Sequence, residues 1–505
     1  MLAVTVQLVP GIQSDLIAST TRSGSIDEEA VLTQSILVGC AAGFSGDRVD
    51  VALPVVQTLI RRGAPSAIIF ENLAERTLAQ QQITRRSNPD LGYEPLLELE
   101  IRPILGLCLQ HGVTIVSNFG AANPHAAARK IIAMAAEMSL ERPRIAVVTG
   151  DDLSGQTGLS LLEERLGSEF DRERFVCANA YQGSREIADA ILAGAQIVVT
   201  GRVADPCLTL GPVMAHYGWQ DDEWDFLAGA SMAGHLLECG AQVTGGSFAD
   251  PGYKDIPEMD QVGFPIAEIF EDGSCIISKA DQTGGRVSVR TVKEQLLYEV
   301  HDPGAYITPD VVADISDAQV TEVGPDQVRL TGVKGHPRTS TLKANVFFDG
   351  GWFGEGEISY AGPNALARAR LARDILQKRL GHLFRMRFDL IGLTSIFNDD
   401  GSEMLDQSLT RLEASSHPDA AADDKATDIE QRWPVAFAVP MDIRLRVSAQ
   451  HMDLTVIERL LREVTALWTC GPAGGGGARV NKRQRLSTSS CLIDRNKLPA
   501  RFEII

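Results

Sequence analysis

The chain has 505 residues, 44% of them hydrophobic and 22% charged, and carries a formal net charge of −19. That length exceeds one ordinary core, so two or three domains are expected. The acidic balance sets nucleic-acid binding aside, and no apolar run approaches the about 20 residues that a membrane span needs. The eight cysteines are scattered without a CxxC pair, which argues against a disulfide framework and a zinc ribbon. The stretch from Met1 to Pro10 is apolar, but no Lys or Arg precedes it and Gln7 interrupts it. That is a poor signal peptide, so a cytoplasmic location is expected.

In chain order, residues 1–33 read as an N-terminal extension, polar and rich in Ser and Thr after the first ten. Residues 34–263 read as an α/β sheet domain. Short β-rich runs at 36–38, 67–70, 113–116, 145–148 and 197–200 are each followed by a Gly-, Asn- or Asp-bearing loop. Helical apolar spacing then follows, as at 55–62, 125–138 and 184–193. Strands alternating with helices predict a doubly wound, mostly parallel sheet. Residues 264–360 read as a β-rich second region, with β-branched runs at 274–278, 286–292 and 341–348. Residues 361–505 read as a C-terminal α/β region. It has a helix from Ala365, strands at 388–393 and 442–448, a helix at 454–468 and a closing Gly-rich loop. Within it, the acidic, Ser/Ala-rich residues 399–432 predict a mobile, solvated loop or lid.

Open parallel sheets bind ligands outside the carboxyl ends of their strands, so the residues just after each strand carry the chemistry. The first such loop holds three glycines, Gly39, Gly43 and Gly46, then Asp47 and Arg48. The second holds Glu71, Asn72 and Arg76, the third Asn118 and Asn123, the fourth Asp151, and the fifth Arg202 and Asp205. Glycines there permit either close approach of backbone N–H groups to an anion or a plain tight turn. The spacing matches neither GxGxxG nor the P-loop, which disfavours a dinucleotide cofactor and redox chemistry. Arg48, Arg76 and Arg202 suit bidentate contact with a carboxylate or phosphate.

His235, Glu238, Cys239 and Gln242 form the densest chemical cluster, ending in Gly245 and Gly246. His, Glu and Cys are acid–base and nucleophile types, and His235 and Glu238 share a helix face at three-residue spacing. The alternative is a Gly-capped helix with a packed histidine. Gly474, Gly475 and Gly476 followed by Arg479 could form an anion nest or a flexible hinge. No metal set is marked, although Asp47, Asp151, Asp205 and His235 would be the donors of a metal-dependent hydrolase.

At these residues the chain resembles the acyclic terpene utilisation family. The resemblance lies in Gly43-Phe-Ser-Gly-Asp-Arg48, Leu73-Ala-Glu-Arg-Thr77, Asn118 to Pro124, and Ala178-Asn-Ala-Tyr181. It continues through Thr200 to Pro206, Gly234 to Gly246, Ser359 to Pro363, Asp389 to Gly392, and Gly471 to Gly477. It implies a role in the breakdown of branched terpenoids through acyl-CoA esters, without a proven catalytic residue. It also implies a small ferredoxin-like partner chain, because some relatives carry such a domain after this region.

The resulting expectation is an enzyme of branched-chain or terpenoid acid catabolism, a hydrolase or lyase, acting on a small anionic acyl substrate. A CoA thioester is one candidate substrate, and no bound cofactor is called for. Hydrolysis, hydration and carbon–carbon cleavage stay open. Glu238, His235 or Asp205 would move a proton, with Cys239 as a nucleophile. The alternatives are a non-catalytic subunit that binds the acyl ester and organises partner enzymes, and the metal-dependent hydrolase. A homo-oligomer is the default assembly.

Overall fold

Continuous apolar runs flanked by turn residues become strands buried on both faces. A computed structural model describes residues 35–415 and 440–505. Six strands come first: β1 (Ile36–Cys40), β2 (Ser66–Phe70), β3 (Thr114–Ser117), β4 (Ile145–Thr149), β5 (Phe175–Ala180) and β6 (Ile197–Thr200). Five of them lie side by side in the order β1-β2-β3-β6-β4, and every pair is parallel. These are the five runs expected from the sequence. Every residue of β1 and β6 is buried, which explains runs that are apolar throughout rather than alternating. Helices pack onto this sheet, among them Ala52–Arg62 through Val55, Val56 and Leu59.

The stretch 264–360 divides between two sheets. It supplies β7 (Pro265–Ile269), β8 (Cys275–Lys279), β9 (Tyr306–Ile307), β10 (Val312–Asp314), β11 (Gln319–Gly324), β12 (Gln327–Thr331), β13 (Lys334–His336) and most of β14 (Thr341–Ala361). Strands β7, β8, β12 and β11 extend the first sheet antiparallel from β1. Strands β9, β10 and β13 form a small sheet of their own. The expected β-run at 286–292 is instead the start of the helix Val289–Leu297. There the Ser288 side chain caps Thr291 N–H while the Thr291 hydroxyl answers the Ser288 N–H, a reciprocal cap that overrides the β-branched composition.

Long β14 anchors the second sheet. With β15 (Met386–Ile391), β16 (Asp442–His451) and β17 (Gly476–Asp494) it gives the order β15-β16-β14-β17, and β5 stays out of the parallel sheet and pairs antiparallel with β14. Helices Ala365–Leu380 and Leu454–Cys470 cover one face of this sheet and enclose a core around Leu376, Leu445, Leu460 and Val464. Finally β18 (Arg501–Ile504) returns to the first sheet, antiparallel to β4.

The expected lid at 399–432 is corrected over its first part. Residues Glu403–Ser415 form a helix whose Leu405 and Leu409 are buried in the second core. Asp399 accepts the N–H groups of Gly401, Glu403 and Met404, so acidic composition here marks a helix start. Residues 416–432, like the expected extension 1–33, lie outside the described residues. Among the described residues no helix is long and apolar enough to cross a membrane, and none of the eight cysteines is in a disulfide.

Candidate functional site

Loops after β1, β2 and β6 meet at the carboxyl edge of the parallel strands, where open sheets bind ligands. With the end of helix Trp224–Glu238, residues 298–309 and the first residues of β14, they enclose a cavity of about 650 Å³. Gly43 makes this convergence possible. A Cβ there would sit 2.5 Å from the Cys239 carbonyl carbon and 2.6 Å from the Gly240 nitrogen, so only glycine lets the two backbones touch. The loop is closed by the Gly43 N–H, which donates to Asp47 Oδ2 at 2.8 Å.

Five carboxyl side chains face this cavity, Glu71, Glu75, Asp205, Glu238 and Glu299, against two cations, Arg202 and Lys343. Glu71 is buried and held from behind: Asn118 Nδ2 donates to its Oε1 at 2.8 Å and the Leu73 N–H at 3.0 Å. Burial first, and the Asp205 charge second, raise its pKa to about 8, although Arg202 pulls the other way. Glu238 is also buried. His235 Nδ1 donates to its Oε1 at 2.8 Å, and Oε2 has no protein partner. Burial raises Glu238 to about 7 against the pull of His235. Burial pulls His235 down, but the Glu238 charge and hydrogen bond outweigh it and the imidazole pKa is raised. Tyr306 packs on the His235 ring with centroids 5.1 Å apart.

Arg202 is buried with its guanidinium already engaged. It donates to the Leu73 carbonyl and to Asp205, and lies 4.1 Å from the centre of the Tyr181 ring. Tyr181 in turn donates to Glu75, which also accepts from Asn345 Nδ2 at 3.2 Å and faces Lys343 Nζ at 3.7 Å. Arg202 therefore neutralises acids at the cavity wall rather than presenting an open fork. Burial pushes the Cys239 thiol up to about 12, helped by the Glu238 charge.

The other expected residues have different surroundings. Asn72 sits behind the wall, its N–H on Asn118 and its Nδ2 on Glu100. Asn123 caps helix Pro124–Glu137, and its Nδ2 is spent on the carbonyls of Pro89 and Leu91. Asp151 is buried under the fifth loop, accepting from the Arg202 N–H and from Asn179. With Asn123 it borders a separate cavity of about 250 Å³. Arg48 is exposed and paired with Asp50, while Arg76 is exposed at the start of helix Glu75–Ser87. Gln242 lies in the short turn Gly240–Thr244, outside the lining of the large cavity.

Gly474, Gly475 and Gly476 lead into β17, where Arg479 pairs with Glu357 of β14. Lys343, at the cavity, lies on the order of 40 Å away along β14 by strand rise. The donors of the metal-hydrolase alternative are not gathered. Among the described residues no group of three or more His, Cys, Asp or Glu side chains is arranged to hold a metal ion.

A match to the family described as acyclic terpene utilisation family protein AtuA covers residues 36–504. The chain belongs to the acyclic terpene utilisation family. No curated protein and no solved structure matches it.

Two cavity residues passed over by the residue-type argument lie inside stretches that carried the family resemblance, Glu75 in 73–77 and Tyr181 in 178–181. Tyr181 directly follows β5 and Glu75 closes the loop after β2, so the strand-end rule could have found both. Lys343, Glu299 and Tyr306 reach the cavity from 299–343, where neither a motif nor a strand-end rule points to them.

Proposed function

We propose that this family member is an acid–base enzyme of acyclic terpenoid breakdown, moving a proton at the carbon beside the carbonyl of a branched acyl substrate. The observation that carries this reading is the pair Glu71 and Glu238. They are buried carboxyls on one cavity, raised to about 8 and about 7, so one can be ionised while the other keeps its proton at neutral pH. Hydration of a 2-enoyl group illustrates the roles. Glu238, steadied by His235, takes one proton from water, the hydroxide oxygen bonds to the β-carbon, and Glu71 delivers its proton to the α-carbon. Proton return from Glu238 to Glu71 resets the site, and dehydration runs the same steps backwards. Cys239 has no part in this scheme, because a thiol raised to about 12 is not a thiolate at neutral pH. The test is deuterium exchange: the full chain is incubated in D2O with branched 2-enoyl and 3-hydroxyacyl thioesters and followed by mass spectrometry. Deuterium at the α-carbon supports the reading. Binding of these thioesters without any exchange overturns it in favour of a non-catalytic subunit.

A further inference from the structure

The acid-lined cavity is a poor seat for an anion, since five carboxyls outnumber Arg202 and Lys343 there. A second cavity of about 360 Å³ adjoins it. Leu342 lines both, and the wall between them is braced by Arg495, which donates to the Thr339 carbonyl at 2.9 Å and the Pro309 carbonyl at 2.6 Å. Arg185, Arg338 and Arg495 all line this annex. Arg185 and Arg338 share one carboxylate, Asp221, at 2.6 and 3.0 Å. Asp310 is buried and occupied by the Ser184 N–H and hydroxyl and by the Cys207 thiol. Among the described residues Arg495 has no carboxylate partner, although Glu186 also borders the annex. Three half-buried guanidinium groups around one space, one of them bonded only to carbonyls, match an oxyanion that accepts several charged hydrogen bonds.

We infer that the annex binds a phosphate-type anion, the charged handle of a ligand whose reacting end lies in the acid-lined cavity. This rests on the acid–base reading for what happens at that end, but not for the anion site itself. The same chemistry could be met by free phosphate, and the experiment separates the two sources. Pyrophosphate is titrated calorimetrically into the full wild-type chain and into Arg495→Gln, Arg338→Gln, Lys343→Gln and Glu238→Gln. The expected result is saturable binding by wild type, weakened at least about tenfold in the two arginine variants and unchanged in the Lys343 and Glu238 variants. Retention in Glu238→Gln makes the anion site separable from catalysis. Should Arg495→Gln melt early, Arg338→Gln carries the test. Equal binding by both arginine variants, or loss in Lys343→Gln, overturns the assignment. Competitive inhibition of α-carbon exchange by pyrophosphate supports the handle, and binding without any effect on exchange overturns it.

Discussion

Two glycine-rich segments look alike in composition and do opposite things in the fold. The loop around Gly43 follows β1, presses against the backbone of Cys239 and Gly240, and thereby walls a cavity that holds buried acids. The turn Gly474 to Gly477 opens β17, and a Cβ on Gly476 would meet nothing within 4 Å. Gly475 lies against the side chains of Ile358 and Tyr360, and the Ala473 carbonyl is bonded to Arg368, so among the described residues no cavity with buried acids forms there. Glycine content thus reports conformational permission, while function depends on what the backbone approaches. Paired substitutions at the two ends test that difference.

The largest contrast is expected in chemistry. Glu238→Gln removes the proton acceptor next to His235 and should slow α-carbon exchange by about 100-fold or more. Arg479→Ala, beside the remote turn, should leave the exchange rate at the wild-type value. Rates for both variants in the same D2O assay check this, and a larger loss in Arg479→Ala would move the site to the wrong end of β14.

Stability gives the next contrast. Gly43→Ala forces a methyl group to 2.5 Å from the Cys239 carbonyl carbon and should cost about 1–3 kcal/mol, as overpacking does. Gly476→Ala should stay within about 0.5 kcal/mol of wild type. Denaturant midpoints measured side by side decide between them. Equal midpoints would mean that the loop can withdraw from Cys239 without strain.

These pairs also mark what was legible in the sequence. The five parallel strands were, because burial on both faces writes itself as an unbroken apolar run. The convergence of Glu71, Arg202, Asp205 and Glu238 was partly legible, since strand ends and helix spacing are local properties. That the β-runs after residue 264 join the same sheet was not, because pairing across more than 200 residues leaves no local trace. For the same reason Lys343 was invisible: its pairing with the cavity depends on β5 and β14 meeting. The run 286–292 reads as a strand because Val287, Val289, Thr291 and Val292 are β-branched, while the cap between Ser288 and Thr291 that makes it a helix start is a side-chain geometry.

A smaller effect follows from buried protons at the cavity end. Glu71 and Glu238 are raised from 4.5 to about 8 and about 7, so the folded chain keeps protons that the unfolded chain releases. Stability from these groups is fully present below 4.5 and is lost as pH rises through about 7 and then about 8. Glu71→Gln mimics the protonated acid and should flatten the upper part of that loss, read as melting temperature against pH. Exchange should follow a bell, its base limb near 7 from Glu238 and its acid limb near 8 from Glu71. A melting profile that falls identically in wild type and Glu71→Gln would remove Glu71 as the stored proton.

The finest test uses the cysteine beside each glycine segment. Cys239 meets Gly43 and is half-buried, with its thiol pushed up to about 12 by burial and by the Glu238 charge. Cys470 directly precedes Gly471 and is exposed. Iodoacetamide attacks thiolates, so at neutral pH Cys470 should be alkylated first and Cys239 only slowly, as read by peptide mass mapping over time. Substituting Gln for Glu238 removes one of the charges that hold the Cys239 thiol protonated, and labelling there should quicken. Burial, the larger cause, remains, so Cys470 should still be labelled first. If wild-type Cys239 reacts as fast as Cys470, a thiolate is present at the cavity wall. Covalent catalysis would then displace the two-carboxyl scheme.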